Sequence, residues 1–514
     1  MHTSDTDYVR MLNISKRFGN VQANSAVNFS VRKGEIHALL GENGSGKSTL
    51  MNILDGIYAQ DEGTIEIDGH EVKINSPADA IRLGIGMVHQ HFKQVDVFTA
   101  AENIIGGLAR PILLNQQKIY GKIQDLCERY GLQLDPKKRC YAMSVSEKQT
   151  VEIVKVLYRG AKLLILDEPT AVLTPQETDN LFSILRGMRD KGCSIIIITH
   201  KLDEVMAISD RVTILRKGHS ICTVNTAETS PQQLTEMMVG AKVDLDIPYV
   251  MIPDEQKEIT LEIKDLTVKG TGDKPKLNQI NLDINSHEIF GIAGIAGSGQ
   301  KELCEAIAGL QLAEGSILLN GQELLNQKPS QQMRKGVTLG FVPEDRLGMG
   351  LAGGLNIEDN AVLKSYWRQK GGIVNKKFSE HEANEIIDSY HVSTSGTKQV
   401  IRTLSGGNIQ KVLLGREIMQ KPSPSCLIVA YPVRGLDIAA SRFVYEELNR
   451  QKEQGVAVLL IGEDLDVLIG LCDRIGVLHD GSLMGIVDAK KTTKEELGWM
   501  MLGQKMESIN DKGS

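Results

Sequence analysis

The sequence predicts an α/β protein made of two tandem copies of one domain. In each half, short runs of Ile, Val and Leu alternate with stretches of helical periodicity, which indicates a mainly parallel sheet covered by helices. The two halves share motifs in the same order, because residues 31–57 resemble 284–310 and residues 163–174 resemble 426–437. A chain of 514 residues is also long for a single compact core. Duplication of an α/β domain accounts for all three observations.

Three further pairs of matching segments define the extent of the two copies. They pair residues 86–90 with 340–344, 143–149 with 404–410, and 196–205 with 459–468. From these matches we predict a first domain over 1–245, a linker over 246–258 and a second domain over 259–514. Residues 100–140 and 358–395 have helical patterns, and we expect them to form a separate helical subdomain in each half.

Composition and charge exclude several classes of protein. Apolar residues make up 41% of the chain and charged residues 24%, as is typical of globular proteins. The formal net charge is −7, so we expect no nucleic-acid partner. The longest apolar runs have the length of a strand, and the N-terminal stretch lacks the apolar core of a signal peptide. Any role at a membrane is therefore expected to depend on a partner.

The stretch GENGSGKST at 41–49 is predicted to bind the phosphates of a nucleotide. It fits the pattern G-x-x-x-x-G-K-[ST] in full and lies between the strand-like IHALL and a helical pattern. Its glycines let backbone N–H groups surround phosphate, Lys47 is expected to neutralise the β- and γ-phosphates, and Ser48 to ligate Mg²⁺. The alternative is a chance match, which the strand–loop–helix context disfavours. The predicted nucleotide-binding residues of this loop are Gly41, Glu42, Asn43, Gly44, Ser45, Gly46, Lys47, Ser48 and Thr49.

Two acidic residues and a histidine follow the apolar runs LLIL and SIIIIT. We expect Asp167 to join the Mg²⁺ shell, and Glu168 to orient and deprotonate the attacking water. The alternative for Glu168 is a helix-capping or ion-pairing role. His200 is in a position to hydrogen-bond the γ-phosphate, although a lone histidine of this kind is more often structural.

The order of these motifs resembles that of the ABC-type ATPases, and the resemblance covers the whole chain. It is carried by the glycine loop, Gln90, the SxxE signature at 144–147, LDEPT at 166–170 and His200. The resemblance implies two tandem ABC-type P-loop ATPase domains, each with a mainly parallel sheet, an antiparallel β region and a helical subdomain. It further implies that Gln90 and His200 are the switch glutamine and switch histidine, and that Phe18 stacks on adenine. The implied cofactors are ATP and Mg²⁺, with Ser48, Gln90 and Asp167 as metal ligands.

The second half keeps the pattern of motifs but replaces most of the chemically active residues. Gln300, Lys301, Glu302, Glu344, Ala430, Tyr431 and Glu463 stand where the first half has Lys47, Ser48, Thr49, Gln90, Asp167, Glu168 and His200. The phosphate-binding cation, the metal ligands and the general base are lost together, so we predict that this half does not hydrolyse ATP by itself. Its signature, LSGGNIQ at 404–410, is nevertheless more complete than MSVSEKQ at 143–149.

By the same resemblance the two domains pair head to tail, so that each signature covers the nucleotide held by the other domain. In the first half Ser146 and Thr174 stand where the second half has a glycine and an aspartate. One composite site therefore collects the intact parts, and the other site collects the losses. The second-half residues implied to close over the first-half loop are Ser405, Gly406, Gly407 and Asp437.

Two such domains in one chain, with GSGQ at 297–300 and VPEDR at 342–346, resemble the ATPase subunit of a bacterial importer of simple sugars or nucleosides. Residues 86–104 most resemble the nucleoside branch. The resemblance implies a subunit at the cytoplasmic face of the membrane, with two transmembrane permease subunits and an extracellular or periplasmic substrate-binding protein as partners. The alternatives are import of a simple sugar such as ribose or galactose, and a non-transport tandem ABC ATPase of the translation-factor type.

A short apolar segment after Gln90 is the implied contact with the permease. By resemblance, residues 91–98 and 345–358 border a groove that receives a permease helix, and the alternative is core packing of the helical subdomain. The apolar side chains of the first segment are Phe92, Val95, Val97 and Phe98.

Overall fold

The structure is a computed structural model of the full chain. It describes residues 6–19, 21–90, 93–108, 115–171, 173–240, 247–270, 274–334, 338–366 and 374–505. The chain divides into two compact units, Met1–Leu245 and Asp246–Ser514.

The first unit contains two sheets and the helices that cover them. Its strands are β1 Asp7–Phe18, β2 Val21–Arg32, β3 Ile36–Leu40, β4 Glu62–Ile67, β5 His70–Val72, β6 Ile85–Val88, β7 Leu163–Asp167, β8 Ser194–Thr199, β9 Arg211–Arg216 and β10 His219–Asn225. Its helices are α1 Lys47–Leu54, α2 Pro77–Arg82, α3 Ala100–Ile105, α4 Gln116–Tyr130, α5 Val145–Tyr158, α6 Pro175–Asp190, α7 Leu202–Ile208 and α8 Pro231–Val239.

The second unit repeats this succession of elements. Its strands are β11 Ile259–Val268, β12 Leu277–Asn285, β13 Ile289–Gly294, β14 Glu314–Leu319, β15 Gln322–Glu323, β16 Leu339–Val342, β17 Cys426–Ala430, β18 Ala457–Ile461, β19 Arg474–His479 and β20 Ser482–Asp488. Its helices are α9 Gln300–Ile307, α10 Pro329–Arg334, α11 Ile357–Ala361, α12 Lys376–Tyr390, α13 Gly406–Ile418, α14 Ile438–Glu453, α15 Leu465–Leu471 and α16 Lys494–Met501, with a single π-helical turn at Arg346–Gly350.

The strand orders confirm the predicted fold class and the duplication. The larger sheets have the orders β6-β7-β8-β3-β9-β10 and β16-β17-β18-β13-β19-β20, and in each all neighbours are parallel except the last pair. The smaller sheets, β2-β1-β4-β5 and β12-β11-β14-β15, are antiparallel. Strands β3, β8 and β18 are buried at every position, as expected for parallel strands covered on both faces.

The helical segments between the motifs are shorter than predicted. In the first unit α4 ends at Gly131, whose left-handed conformation (φ 73°) stops the helix, and residues 131–139 follow without helical structure. In the second unit α12 ends in the same manner at His391, with φ 49°. Helical periodicity detected both helices, but it did not locate the two left-handed residues that end them.

The described part of the segment that follows the first unit is anchored on the second unit. The Tyr249 hydroxyl donates to Asp473 Oδ1 at 3.1 Å, and Lys452 Nζ lies 4.4 Å from the centre of the Tyr249 ring. On the same ring Lys490 Nζ approaches the centre to 3.7 Å. Lys452 is itself fully buried and bonds Asp473 Oδ1 at 2.8 Å. Residues 247–250 thus complete a buried charge cluster of the second unit.

Candidate functional site

The loop between β3 and α1 depends on its glycines for its shape. Gly44 and Gly46 have φ values of 79° and 100°, which a side chain disfavours. A Cβ atom on Gly46 would also lie 2.5 Å from the carbonyl oxygen of Ala23 and from Asn24 Nδ2. That same Asn24 amide donates to the Gly46 carbonyl at 3.2 Å. Strand β2 therefore packs against the loop at Gly46, whereas the loop is open at Gly44, where an added Cβ would meet no atom within 4 Å.

Lys47 begins α1 and is folded back over the loop. Its side chain is only 6% exposed, and Nζ donates to the carbonyl oxygens of Gly41 at 2.6 Å and Glu42 at 2.9 Å. Burial lowers the pKa of Lys47, while the nearby carboxylates of Glu168 and Asp167 act to raise it. The ammonium group is thus held where the loop and the end of β7 meet.

The loop has the features of a phosphate site besides its lysine. Its backbone enters an eight-residue helix, so the N–H groups of the first turn, at Ser48 and Thr49, have no partner earlier in that helix. The hydroxyl of Ser45 is buried and has no hydrogen-bond partner among the described residues. The predicted residues 41–49 thus form one continuous loop and helix start, a donor-rich surface that suits a polyphosphate.

The two acidic residues lie at the end of β7 in different environments. Burial raises the pKa of Asp167 to about 6, and the charge of Glu168 acts in the same direction against the opposing charge of Lys47. Glu168 follows in the left-handed region, with φ 46°, and its N–H donates to the Ile198 carbonyl at 2.9 Å. This sharp turn directs the chain out of the sheet directly after the paired carboxylates.

Glu168 is the centre of a three-residue cluster. Gln90 Nε2 donates to its Oε2 at 2.8 Å, and His200 Nδ1 lies 3.0 Å from its Oε1. The hydrogen bond with His200 lowers the pKa of Glu168, although burial opposes this effect. Gln90 and His200 follow β6 and β8, the two neighbours of β7, so the parallel sheet brings all three residues to one edge.

The donor set at this edge fits Mg²⁺. Ser48 offers a hydroxyl oxygen and Asp167 a carboxylate, and both are hard oxygen ligands of the kind that Mg²⁺ prefers. Because the amide nitrogen of Gln90 bonds Glu168, its amide oxygen is the atom that remains to serve as a third oxygen ligand.

Phe18 has an aromatic neighbour that the motifs did not reveal. It ends β1 and is 42% exposed, and its ring packs edge-on against Tyr58 with the centres 5.1 Å apart. Lys16 Nζ lies 5.6 Å from the centre of the Phe18 ring. Tyr58 follows α1 and belongs to no nucleotide motif. The only sequence feature that could have pointed to it is its aromatic side chain, in a chain with 4% aromatic residues.

The corresponding loop of the second unit has the same shape without the cation. Gly297 and Gly299 have φ values of 90° and 108°, and Gln300 begins α9 as Lys47 begins α1. Gln300 Nε2 donates to the Ile295 carbonyl at 3.1 Å, which repeats the way Lys47 folds back. Lys301 carries a positive charge, but its Nζ points towards Glu305 at 3.8 Å and its side chain is 74% exposed.

An arginine occupies the second unit's equivalent of the Glu168 cluster. Arg434 pairs through Nη1 with Glu344, and its Nε lies 3.9 Å from Glu463 Oε1. Tyr431 stands at the position of Glu168, and burial raises the pKa of its hydroxyl. Two carboxylates that share one arginine have therefore replaced the cluster of amide, carboxylate and imidazole.

The signature residues begin helices in both units. Ser144 caps α5 in a capping box with Glu147, and Ser405 caps α13 by accepting from Asn408 N. Thr174 and Asp437, which occupy equivalent positions in the two units, are also helix caps. The Thr174 hydroxyl caps α6, and the Asp437 carboxylate caps α14. The structure places Ser405, Gly406 and Asp437 at exposed positions of the second unit and Gly407 at a half-buried one.

The segment predicted to meet a permease helix is only partly described. His91 and Phe92 lie outside the described residues. Val95, Val97 and Phe98 are exposed by 46%, 60% and 44%, so they are not core residues of their unit. Among the described helices, none combines the length and apolar character needed to cross a membrane.

The chain is similar to known proteins over nearly its whole length. The family model described as ABC transporter matches residues 25–171 and 277–427. The nucleoside import ATP-binding protein NupA of Lactococcus lactis subsp. cremoris is 44% identical over 501 residues, covering 96% of this chain and 98% of that protein. The guanosine import ATP-binding protein NupO of Bacillus subtilis is 43% identical, covering 96% and 97%. The ribose import ATP-binding protein RbsA 1 of Rubrobacter xylanophilus is 38% identical, covering 95% and 97%.

Proposed function

This chain belongs to the ABC transporter family, and from that premise we propose that it is the ATP-hydrolysing subunit that powers nucleoside import through a membrane transporter. Its ATP-binding domains are ATPase domains of the ABC type, present twice in the chain. We propose that one composite ATP site is competent, and that it is built around the first-unit loop.

One observation carries this proposal. Lys47, Gln90, Asp167, Glu168 and His200 meet at one edge of the first unit's parallel sheet, whereas the second unit has a different chemistry at every equivalent position. The asymmetry at this edge lies in the side chains and not in the sheet, because the strand orders of the two units are the same.

The geometry supports a division of labour in hydrolysis. Ser48, Gln90 and Asp167 would hold Mg²⁺, which would supply positive charge to the phosphate oxygens. Lys47 adds a second positive charge beside the loop. Glu168 stays ionised because of its bond with His200, so it can accept a proton from water. Gln90 and His200 fix the orientation of that carboxylate through one bond to each of its oxygens.

The second unit supplies the other part of the competent site in this proposal. Ser405, Gly406, Gly407 and Asp437 stand on two helix N-termini, where backbone N–H groups and the helix dipole favour an anion. Head-to-tail pairing brings these termini over the γ-phosphate held by the first unit. The second-unit loop then carries no hydrolysis of its own.

The proposed substrate is a nucleoside, with a simple sugar such as ribose or galactose as the second candidate. Relatives named for nucleoside and guanosine import are 44% and 43% identical to this chain, and a relative named for ribose import is 38% identical. We further propose two transmembrane permease subunits as direct partners and an external substrate-binding protein as an indirect one. Through the permease the chain lies at the cytoplasmic face of the membrane.

An uptake assay in cells that lack the gene for this chain tests the proposal. We expect loss of radiolabelled guanosine uptake with normal ribose uptake, and restoration by the wild-type chain but not by Glu168→Gln. The matched control is Tyr431→Phe, which changes the equivalent position of the second unit and should restore uptake. Loss of ribose uptake with normal guanosine uptake would support the sugar instead, and normal uptake of both would contradict an import role for these substrates.

A further inference from the structure

The turn that leads from β17 to Asp437 is held by a residue outside the nucleotide motifs. Arg346 Nη2 donates to the Pro432 carbonyl at 3.3 Å and to the Arg434 carbonyl. Asp437 follows three residues later and caps α14 by accepting from Ala440 N at 2.7 Å. One guanidinium group therefore bonds two carbonyl groups of the turn that carries Asp437.

The first unit holds the equivalent turn in a different way. There Gln149 Nε2, from the signature helix α5, donates to the Pro169 carbonyl at 2.8 Å. The equivalent glutamine of the second unit is Gln410, which is only 1% exposed, and neither atom of its amide has a hydrogen-bond partner among the described residues. Arg346 has thus taken over the proline carbonyl, at the cost of an unsatisfied buried amide. Both units keep a bond to this carbonyl although the donors differ.

Arg346 also lies next to the signature. A Cβ atom on Gly406 would lie 3.9 Å from Arg346 Nη1 and 3.9 Å from Leu436 Cδ2, so the arginine borders both the signature and the turn. Burial lowers the pKa of Arg346, and within the described parts of the chain its guanidinium bonds the two carbonyls and no carboxylate. A half-buried charge that bonds only backbone carbonyls has a role in fixing the backbone rather than in balancing charge.

The segment that carries Arg346 is itself fixed to the signature helix. Asp345 caps the π-helical turn by accepting from Gly348 N at 2.7 Å. At the other end of this turn, Arg416 Nη2 of α13 donates to the Gly350 carbonyl at 2.6 Å. Arg346 therefore connects α13 and the turn before Asp437 through a short and well-bonded segment.

We infer that Arg346 is a positioning residue for ATP hydrolysis at the first-unit loop, because it holds Asp437 and the Ser405–Gly407 signature in one fixed arrangement. The inference rests on the head-to-tail pairing of the proposed function. A lysine ammonium on its flexible stem lacks the pre-organised planar fork of the guanidinium, so we expect it to hold the two carbonyls less firmly.

Steady-state ATPase kinetics of the full-length chain test the inference. For Arg346→Ala we expect a fall in kcat of about tenfold with an unchanged KM for ATP, because the loop that holds ATP is in the other unit. Arg346→Lys should give an intermediate kcat. The matched control is Arg442→Ala, which removes an arginine from the surface of α14 and should leave kcat unchanged. A wild-type kcat for Arg346→Ala would overturn the inference.

A double-mutant cycle separates positioning from a general loss of stability. If Arg346 positions Asp437, then Arg346→Ala should lower kcat less in an Asp437→Ala background than in the wild type, and the loss that remains is the part that acts through the signature. If the two fold-losses of kcat multiply in the double variant, the residues act independently, and the inference is overturned.

Turnover of Ser405→Ala and Asp437→Ala distinguishes a failure of this inference from a failure of the proposed pairing. Wild-type turnover in both Ser405→Ala and Asp437→Ala would contradict the pairing and the inference together. Loss of turnover in both, with a wild-type Arg346→Ala, would overturn the inference alone.

Discussion

The turn after β7 and the turn after β17 have nearly the same backbone conformation but carry side chains of different chemistry. Glu168 and Tyr431 have φ values of 46° and 48°, and each donates its N–H across to the neighbouring strand, to Ile198 at 2.9 Å and to Ile461 at 2.8 Å. The left-handed conformation is therefore a requirement of the strand-to-turn connection and not of the carboxylate. The fold keeps the turn in both units, and the side chain at its start differs, a carboxylate in the first unit and a phenol in the second.

The charges around the two turns differ in the same way. Glu168 is accompanied by Lys47 and His200, whereas Tyr431 is accompanied by Glu344 and Glu463. A triphosphate in the second unit would meet Gln300 in place of the lysine and would approach two carboxylates, with both of which Arg434 is already engaged. The comparison predicts that paired substitutions in the two units will have unequal effects.

The largest inequality is expected at the turns themselves. Glu168→Gln removes the proton acceptor and keeps one acceptor oxygen, enough for one of the two bonds made with Gln90 and His200, so kcat should fall by about a thousandfold while ATP binding is retained. Tyr431→Phe should leave kcat within twofold of wild type. Both variants are compared with the wild type in pre-steady-state hydrolysis and nucleotide-binding assays. Near-normal turnover in Glu168→Gln would contradict a single competent site.

The next pair is the residue at the start of the phosphate-loop helix. Lys47→Ala removes the cation beside the phosphates and should lower kcat/KM by about a hundredfold. Gln300→Ala removes only a hydrogen bond to the Ile295 carbonyl and should have a small effect on turnover. The reverse order of the two effects would mean that the second unit holds the working site.

A smaller difference is expected between the two signature serines. Ser405 and Ser144 both cap a helix, so replacement of either by Ala should lower the free energy of unfolding by a similar amount, about 1 kcal/mol. The activities should differ, with kcat about tenfold lower for Ser405→Ala and within twofold of wild type for Ser144→Ala. Equal losses of kcat, measured at a temperature where both variants are folded, would count against head-to-tail pairing.

The smallest effect concerns a buried acid without an acidic counterpart. Burial raises the pKa of Asp55 from its ordinary 3.8 to about 6, and the second unit has Ala308 at this position. The folded chain therefore binds this proton more tightly than the unfolded chain, and the ionised carboxylate lowers stability as pH rises from about 4 to 6. Asp55→Ala should stabilise the chain by about 1 kcal/mol more at pH 8 than at pH 5.

Thermal melting at the two pH values measures the Asp55→Ala effect. The matched control is Ala308→Asp, which should lower the melting temperature more at pH 8 than at pH 5. A gain in Asp55→Ala that is the same at both pH values would show that packing, and not the titration of the carboxylate, is responsible.

The features predicted from the sequence are those that depend on neighbours along the chain. The loop at 41–49 and the acids after LLIL were predicted because strand, loop and helix follow one another directly. The pairing of Arg434 with Glu344 joins positions 90 residues apart and has no local signal. The bond from Arg346 to Pro432 likewise forms only when β16 and β17 become neighbours. Sequence patterns identified the strands, and sheet topology then determined which of their ends meet.

The anchoring of Tyr249 has a practical consequence for dividing the chain into separate polypeptides. A second half that began at residue 259 would lack the Tyr249 ring and hydroxyl, and Lys452 would lose the Val250 carbonyl that its ammonium group bonds. Asp473 would then be the main partner of a fully buried lysine. A separately expressed half should therefore begin no later than Ile247. A half that began at residue 259, the predicted start of the second domain, would be less stable for reasons unrelated to its nucleotide chemistry.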